Sequence, residues 1–339
     1  MNRRALLLLL GVLAALGILA GIATLGDPWG ASPGEGQPGL LLPGLKDQLN
    51  VINRIVISGP GNQTIATLER GAERWTVTER NNYPADVGRI RKNLLVLADA
   101  RIVEEKTSSP GFYDRLGVQD LSDPAAKGMQ LALTGGKQPV TVIIGLNQAG
   151  TGDLTYVRRA GEAKSWLVKG KFDLGKTGGD WLDRSLTSIP MARIQSVTIN
   201  HPGIETLRIA KSKPDDADFG VVGLPAGREL SYPGVANSIA GVLADLPLED
   251  AQTRDALGPA PGKPVVARFV TTDGLTVETS AWGVATGTRV TFTAVGTGAA
   301  EKEAAALNAR LGGWVYTLPG YKTEQLTRRL QDLLAPASE

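Results

Sequence analysis

Residues 83–97 read YPADVGRIRKNLLVL and residues 232–246 read YPGVANSIAGVLADL. Each stretch opens on Tyr-Pro and then spaces apolar side chains three and four residues apart. They are Val87, Ile90, Leu94 and Leu97 in the first stretch and Val235, Ile239, Val242, Leu243 and Leu246 in the second. This spacing builds the buried face of an amphipathic helix. Proline in the first turn removes only an N–H that has no partner there. One long amphipathic helix is therefore predicted in each stretch. Their endings, Val96-Leu97-Ala98-Asp99 and Val242-Leu243-Ala244-Asp245, are close variants of one another.

Working outward, both helices follow β-rich text. Ile52-Asn53-Arg54-Ile55-Val56-Ile57 continues through Thr64–Leu68 and Arg74–Val77, while Arg193–Ile199 continues through Glu205–Ile209 and Phe219–Val222. After the helices come the predicted strands Gln130–Leu133, Val140–Ile144, Leu154–Arg158 and Ser165–Val168 in the first half. The second half has Val265–Thr271, Leu275–Ser280, Arg289–Ala294 and Gly313–Thr317. Gly135-Gly136 and Asp273-Gly274 stand where tight hairpin turns are needed. Short closing helices are predicted over Trp181–Leu186 and Thr323–Leu334. The halves are offset by roughly 140 to 150 residues, the mark of an internal duplication. Antiparallel meanders with one long helix per unit predict an α+β fold and argue against a doubly wound parallel sheet.

Ahead of the repeats, Ala5–Leu25 carries no charge and would span roughly 30 Å as a helix, the thickness of a hydrocarbon core. Arg3 and Arg4 precede it and Asp27 follows, so the positive-inside rule puts the N-terminus in the cytoplasm and the bulk of the chain across the inner membrane. A cleaved signal ending near Gly21-Ile22-Ala23 is the rival reading, and it also exports the chain. From Gly26 to Gly44 interleaved Gly and Pro defeat helix and sheet alike. The expected organisation is a cytoplasmic tip and transmembrane helix over residues 1–26, a linker over 27–47, and repeats over 48–190 and 191–339.

Of the 339 residues, 36 are Lys or Arg and 34 are Asp or Glu, so once Arg3 and Arg4 are set aside the remainder is neutral. No basic cluster of the kind that releases counterions from phosphates is present, which argues against a nucleic-acid partner. There is no Cys, which excludes disulfides, thiol chemistry and thiolate metal sites. The one histidine, His201, sits in Asn200-His201-Pro202-Gly203, a natural turn, and the common zinc sites need more than one such ligand. No serine carries a nucleophile-elbow pattern.

The sharpest motif is Gly170-Lys171-Phe172-Asp173-Leu174-Gly175-Lys176-Thr177, whose Gly170, Gly175, Lys176 and Thr177 fit the phosphate-loop spacing after a predicted strand. In a working loop the amides wrap phosphates, the lysine reaches the terminal phosphates, and a long helix starts at once. Here Gly178-Gly179 follows and stops that helix, so the match reads as chance in a glycine-rich chain. Asp215-Asp216-Ala217-Asp218 lacks the further oxygen ligands and the Glu of a calcium loop, and reads as a solvated turn. Gly296-Thr297-Gly298 is a weak loop pattern, and Trp75, Trp166 and Trp314 fall in strands, where packing is the plain role. No catalytic residue, metal or cofactor is expected.

The combined text resembles the bacterial domain-of-unknown-function family 4340. The resemblance rests on the Arg-Arg-apolar start, Arg74-Trp75-Thr76-Val77, Tyr83-Pro84-Ala85-Asp86, Leu116-Gly117-Val118, and Val142-Ile143-Ile144-Gly145 before Tyr156-Val157. Proteins of this kind are associated with ABC-type exporters and with a second anchored auxiliary protein related to gliding-motility components. The resemblance implies a non-enzymatic accessory subunit on the periplasmic side whose partner is an ABC-type permease or an auxiliary envelope protein; it assigns no catalytic residue. The alternatives are a periplasmic module binding polysaccharide or lipid, and a nucleotide-binding protein acting through Gly170–Thr177.

Overall fold

The computed structural model describes residues 39–150, 152–213, 216–257, 262–284 and 287–336. Arg3, Arg4 and the apolar run Ala5–Leu25 lie outside the described residues. The chain folds into two compact units. One combines the residues up to Thr64 with Gly88–Leu174, and the other combines Ile65–Val87 with Gly175 onward.

In the first unit six strands run antiparallel, in the spatial order Arg54–Gly59, Met129–Thr134, Val140–Asn147, Leu154–Arg159, Ser165–Lys169, Arg101–Glu105. Alternation sets the faces: Ile55, Ile57, Leu131 and Leu133 are all buried, while Val56 and Ala132 between them are only half-buried. The helix Val87–Ala98 buries Ile90, Asn93, Leu94, Leu97 and Ala98. Each of the large aliphatic side chains stabilises the fold by about 1.5–3 kcal/mol relative to exposure.

Two adjacent arginines tie loops to this sheet. Arg158, only 3% exposed, donates to the carbonyls of Val118 and Glu162 and lies 4.6 Å from the Tyr113 ring centroid. Arg159 sends two N–H groups to Leu41 O, at 3.1 and 2.6 Å. Leu41, Leu42 and Leu45 are fully buried, and Leu40 bridges to Arg101, so the end of the Gly/Pro-rich stretch is built into this unit.

The second unit repeats the same six-strand path: Ile194–His201, Val265–Thr271, Leu275–Val284, Gly287–Gly296, Trp314–Thr317, Asp250–Thr253. Glu205–Ala210 and Gly220–Val221 extend it beyond Ile194–His201. The strands Trp75–Val77 and Tyr83–Pro84 come from the Ile65–Val87 segment. Phe269, Phe292 and Tyr316 form part of the core. The helix Glu301–Leu311 packs on Gly287–Gly296 and Leu275–Val284. Its Asn308 makes a reciprocal pair with the backbone of Ala294, accepting from the amide at 2.8 Å and donating to the carbonyl at 2.7 Å.

The expected architecture is corrected here. Strands and helices both occur, so α+β holds coarsely. The described chain is nevertheless mostly antiparallel sheet with few, short helices, and not two repeats with one long amphipathic helix each; the expected transmembrane helix falls outside the described residues and is not shown. Among the described residues no helix is long and apolar enough to cross a membrane. Only the first of the two predicted long helices forms. In the second stretch the chain makes one turn, Asn237–Ala240, then a 3-10 turn, Val242–Ala244. Gly234 sits at φ +75°, which delays the start. Gly241 in the middle of the stretch weakens it by about 1 kcal/mol relative to alanine. Asn237 spends its side chain on Phe219 N and on Asp218 instead of continuing the helix. The predicted closing helices also shrink: Trp181–Leu186 becomes a 3-10 turn, Gly178–Trp181, and a strand, Ser185–Thr187, and Thr323–Leu334 becomes Gly320–Leu326 plus Leu330–Leu333. The helix Glu301–Leu311 has no counterpart among the sequence expectations.

Candidate functional site

The phosphate-loop spacing falls where the chain passes from one unit to the other. Gly170, Lys171, Phe172, Asp173 and Leu174 end the first unit, and Gly175, Lys176 and Thr177 belong to the second. In the second unit Asp180 uses one carboxylate oxygen to accept from the amides of Lys176, at 2.9 Å, and Thr177, at 3.0 Å. The Thr177 hydroxyl points to the same oxygen at 3.1 Å. The amides and hydroxyl that a phosphate and its magnesium would need are thus held by an internal anion, and the helix that follows is the four-residue turn Gly178–Trp181.

Gly170, Lys171, Phe172 and Asp173 line a cleft of about 660 Å³, together with Lys92 and Val96 of the helix, Asp153, and Lys169 at the strand end. The local sequence explains its shape. Gly170 is clipped to the sheet by its amide to Asp153 O, at 2.7 Å, and by its carbonyl, which accepts from the Thr155 hydroxyl at 2.6 Å. Three residues on, Asp173 is clipped to the helix. Its amide donates to Asn93 Oδ1 and its carbonyl accepts from Asn93 Nδ2, both at 2.9 Å, and its carboxylate pairs with Arg89. Between the clips Lys171 and Phe172 form a short arch. Gly170 is required at φ +155°, because a Cβ there would stand 2.9 Å from Val96 Cγ1. Lys92 and Val96 lie one helical turn apart on the same face.

Lys92, Lys169 and Lys171 are exposed, and their ammonium groups have no ion-pair or hydrogen-bond partner among the described residues; nor has the Asp153 carboxylate. With Asp173 paired to Arg89, the lining carries three lysines against one unpaired carboxylate. The cleft is an electropositive pocket with one aromatic side chain and one hydrogen-bond acceptor, suited to binding an anion. The sequence alone does not point to this cleft, because in the phosphate-loop spacing Lys171 and Phe172 are only spacer positions. The available signal was two lysines flanking a glycine at a strand end.

The other candidates are absorbed by structure. His201 is 7% exposed at its strand end, with Nε2 3.3 Å from Arg328 O. Asp216 accepts from the Lys213 amide and Asp218 from Asn237 Nδ2, while Asp215 lies outside the described residues. Among the described residues no group of three His, Asp or Glu side chains could hold a metal. Trp75 is half-buried, Trp166 is buried beside Lys164, and the Trp314 ring meets Tyr83 edge-on at 4.8 Å. Burial pushes Tyr83 up to about 12 and raises Tyr316 as well, so both phenols stay neutral and serve packing.

A family model described as a domain of unknown function, DUF4340, matches residues 75–253, more than half of the chain. The chain belongs to this family. No curated protein and no solved structure matches it. The DUF4340 match takes in both the lysine cleft and the Asp180 turn, and two of the stretches that carried the resemblance meet in space. A Cβ on Gly145 would stand 2.3 Å from Leu116 O, and one on Gly117 would stand 2.9 Å from Leu146 Cγ.

Proposed function

We propose that this DUF4340 protein is a membrane-tethered, non-enzymatic accessory subunit on the far side of the inner membrane, serving an ABC-type exporter or a cell-envelope assembly. The carrying observation is the uncharged run Ala5–Leu25 behind Arg3 and Arg4, set close in sequence to a folded sheet. The residues from Gly26 to Pro38 reach at most about 45 Å. Leu41, Leu42 and Leu45 then fasten the chain into the first unit, with Arg159 clasping Leu41 O. That arrangement suits a body held near the bilayer, where a permease or auxiliary envelope protein is within reach. The link to an exporter comes from the family association alone.

Purification of the full-length protein in mild detergent tests this reading. An ABC ATPase and its permease are expected to accompany it in comparable amounts. Recovery of only unrelated envelope enzymes contradicts the role.

A further inference from the structure

We propose that the cleft between the helix Val87–Ala98 and the arch 170–173 binds an acidic sugar, one that carries a carboxylate or phosphate on a polyhydroxy ring. This inference does not depend on the accessory role. Three lysines converge on one pocket in a chain whose charges otherwise balance, so an anion relieves their mutual repulsion. A bare anion does not account for the rest of the lining. Asp153 is an acceptor-only carboxylate that a plain phosphate would oppose and a sugar hydroxyl would satisfy. Phe172 offers a ring for the apolar face of a sugar. The volume of about 660 Å³ holds one or two such rings.

The site is also built in advance. Asn93, 2% exposed, and Thr155, 1% exposed, pin the two ends of the arch through its backbone. Lys171 and Phe172 are therefore presented from a fixed support, which lowers the ordering cost of binding. The lysine side chains themselves are free to follow the ligand.

The test uses the full-length protein in detergent, titrated calorimetrically at low salt with tri-galacturonate, glucose 1-phosphate, maltotriose, inorganic phosphate and short-chain phosphatidylglycerol. Saturable binding is expected for at least one acidic sugar, weakening as salt rises. Maltotriose should not bind, and inorganic phosphate should bind more weakly than the acidic sugar. The double variant Lys169→Gln/Lys171→Gln should lose about tenfold or more in affinity while keeping the wild-type melting temperature, since both side chains are exposed. Phe172→Ala should weaken the sugar and leave phosphate unchanged. The proposal is overturned if neither acidic sugar saturates by millimolar concentration or if the double variant binds as tightly as wild type. Phosphate matching the sugar, or binding of phosphatidylglycerol alone, overturns it equally.

Discussion

The two units thread six strands along the same path, yet they place their helices at different points of it. In the first unit the 12-residue helix lies, along the chain, between Arg54–Gly59 and Arg101–Glu105, the first and last strands of the path. In the second unit the corresponding crossover has broken turns in place of that helix, and the 11-residue helix Glu301–Leu311 stands between Gly287–Gly296 and Trp314–Thr317. At that position the first unit has a tight turn between Leu154–Arg159 and Ser165–Lys169. Strand order is thus the persistent feature and helix position the variable one. Cross-strand pairing constrains every residue of a ladder, whereas a helix needs only an apolar face to rest against.

Both units use a helix asparagine as a substitute strand neighbour, its amide pairing with a backbone N–H and C=O. Their surroundings differ: Asn93 is buried and clips an arch, while Asn308 is exposed and clips a sheet strand. Asn93→Ala is expected to cost about 2 kcal/mol, since it leaves a cavity and unpaired backbone groups. Chemical denaturation should show the loss, and hydrogen exchange should locate it at residues 171–174. A loss spread evenly over both units would mean that the arch is not held as described.

A smaller effect separates the units by pH. The phenol of Tyr83 titrates near 10.0 when unfolded and about 12 when folded, with Tyr316 shifted in the same direction. A raised folded value means that the contribution is complete below pH 10 and is lost as pH rises toward 12. On the order of 1 kcal/mol per tyrosine should be gone by pH 11. The second unit should therefore open first in alkali, seen as earlier exchange at residues 314–317 than at 165–169. Opening of the first unit ahead of the second would contradict the assignment. Least of all, Asn308→Ala should cost a few tenths of a kcal/mol, because water can replace its exposed amide.

Most of the later strands are legible in the sequence, because alternation and hairpin glycines report on pairs that must form, whereas Arg101–Glu105 and Asp250–Thr253, which end the two paths, have no counterpart among the expectations. Val265–Thr271 was predicted to the residue, and the other seven late strands were found within a few. The second helix was misread because periodicity counts apolar positions and ignores Gly234 and Gly241, whose backbone preferences decide the outcome. The helix Glu301–Leu311 was missed for the opposite reason. It buries only Ala304 and Leu311, too thin a stripe for a pattern search. At the lysine cleft the letters were visible, but Asp153, Lys92 and Lys169 come together only through the fold. The family stretches Leu116-Gly117-Val118 and Val142–Gly145 likewise make physical sense only once the close approach of Gly145 to Leu116 O is seen.

The proposed role rests on the side of the membrane that holds the two sheets. A phosphatase reporter and a fluorescent reporter, each fused behind Glu339 of the full-length chain, test that placement directly. The account predicts phosphatase activity, which needs the periplasm, and a dark fluorescent fusion. A bright fluorescent fusion with an inactive phosphatase would put both units in the cytosol and contradict the account.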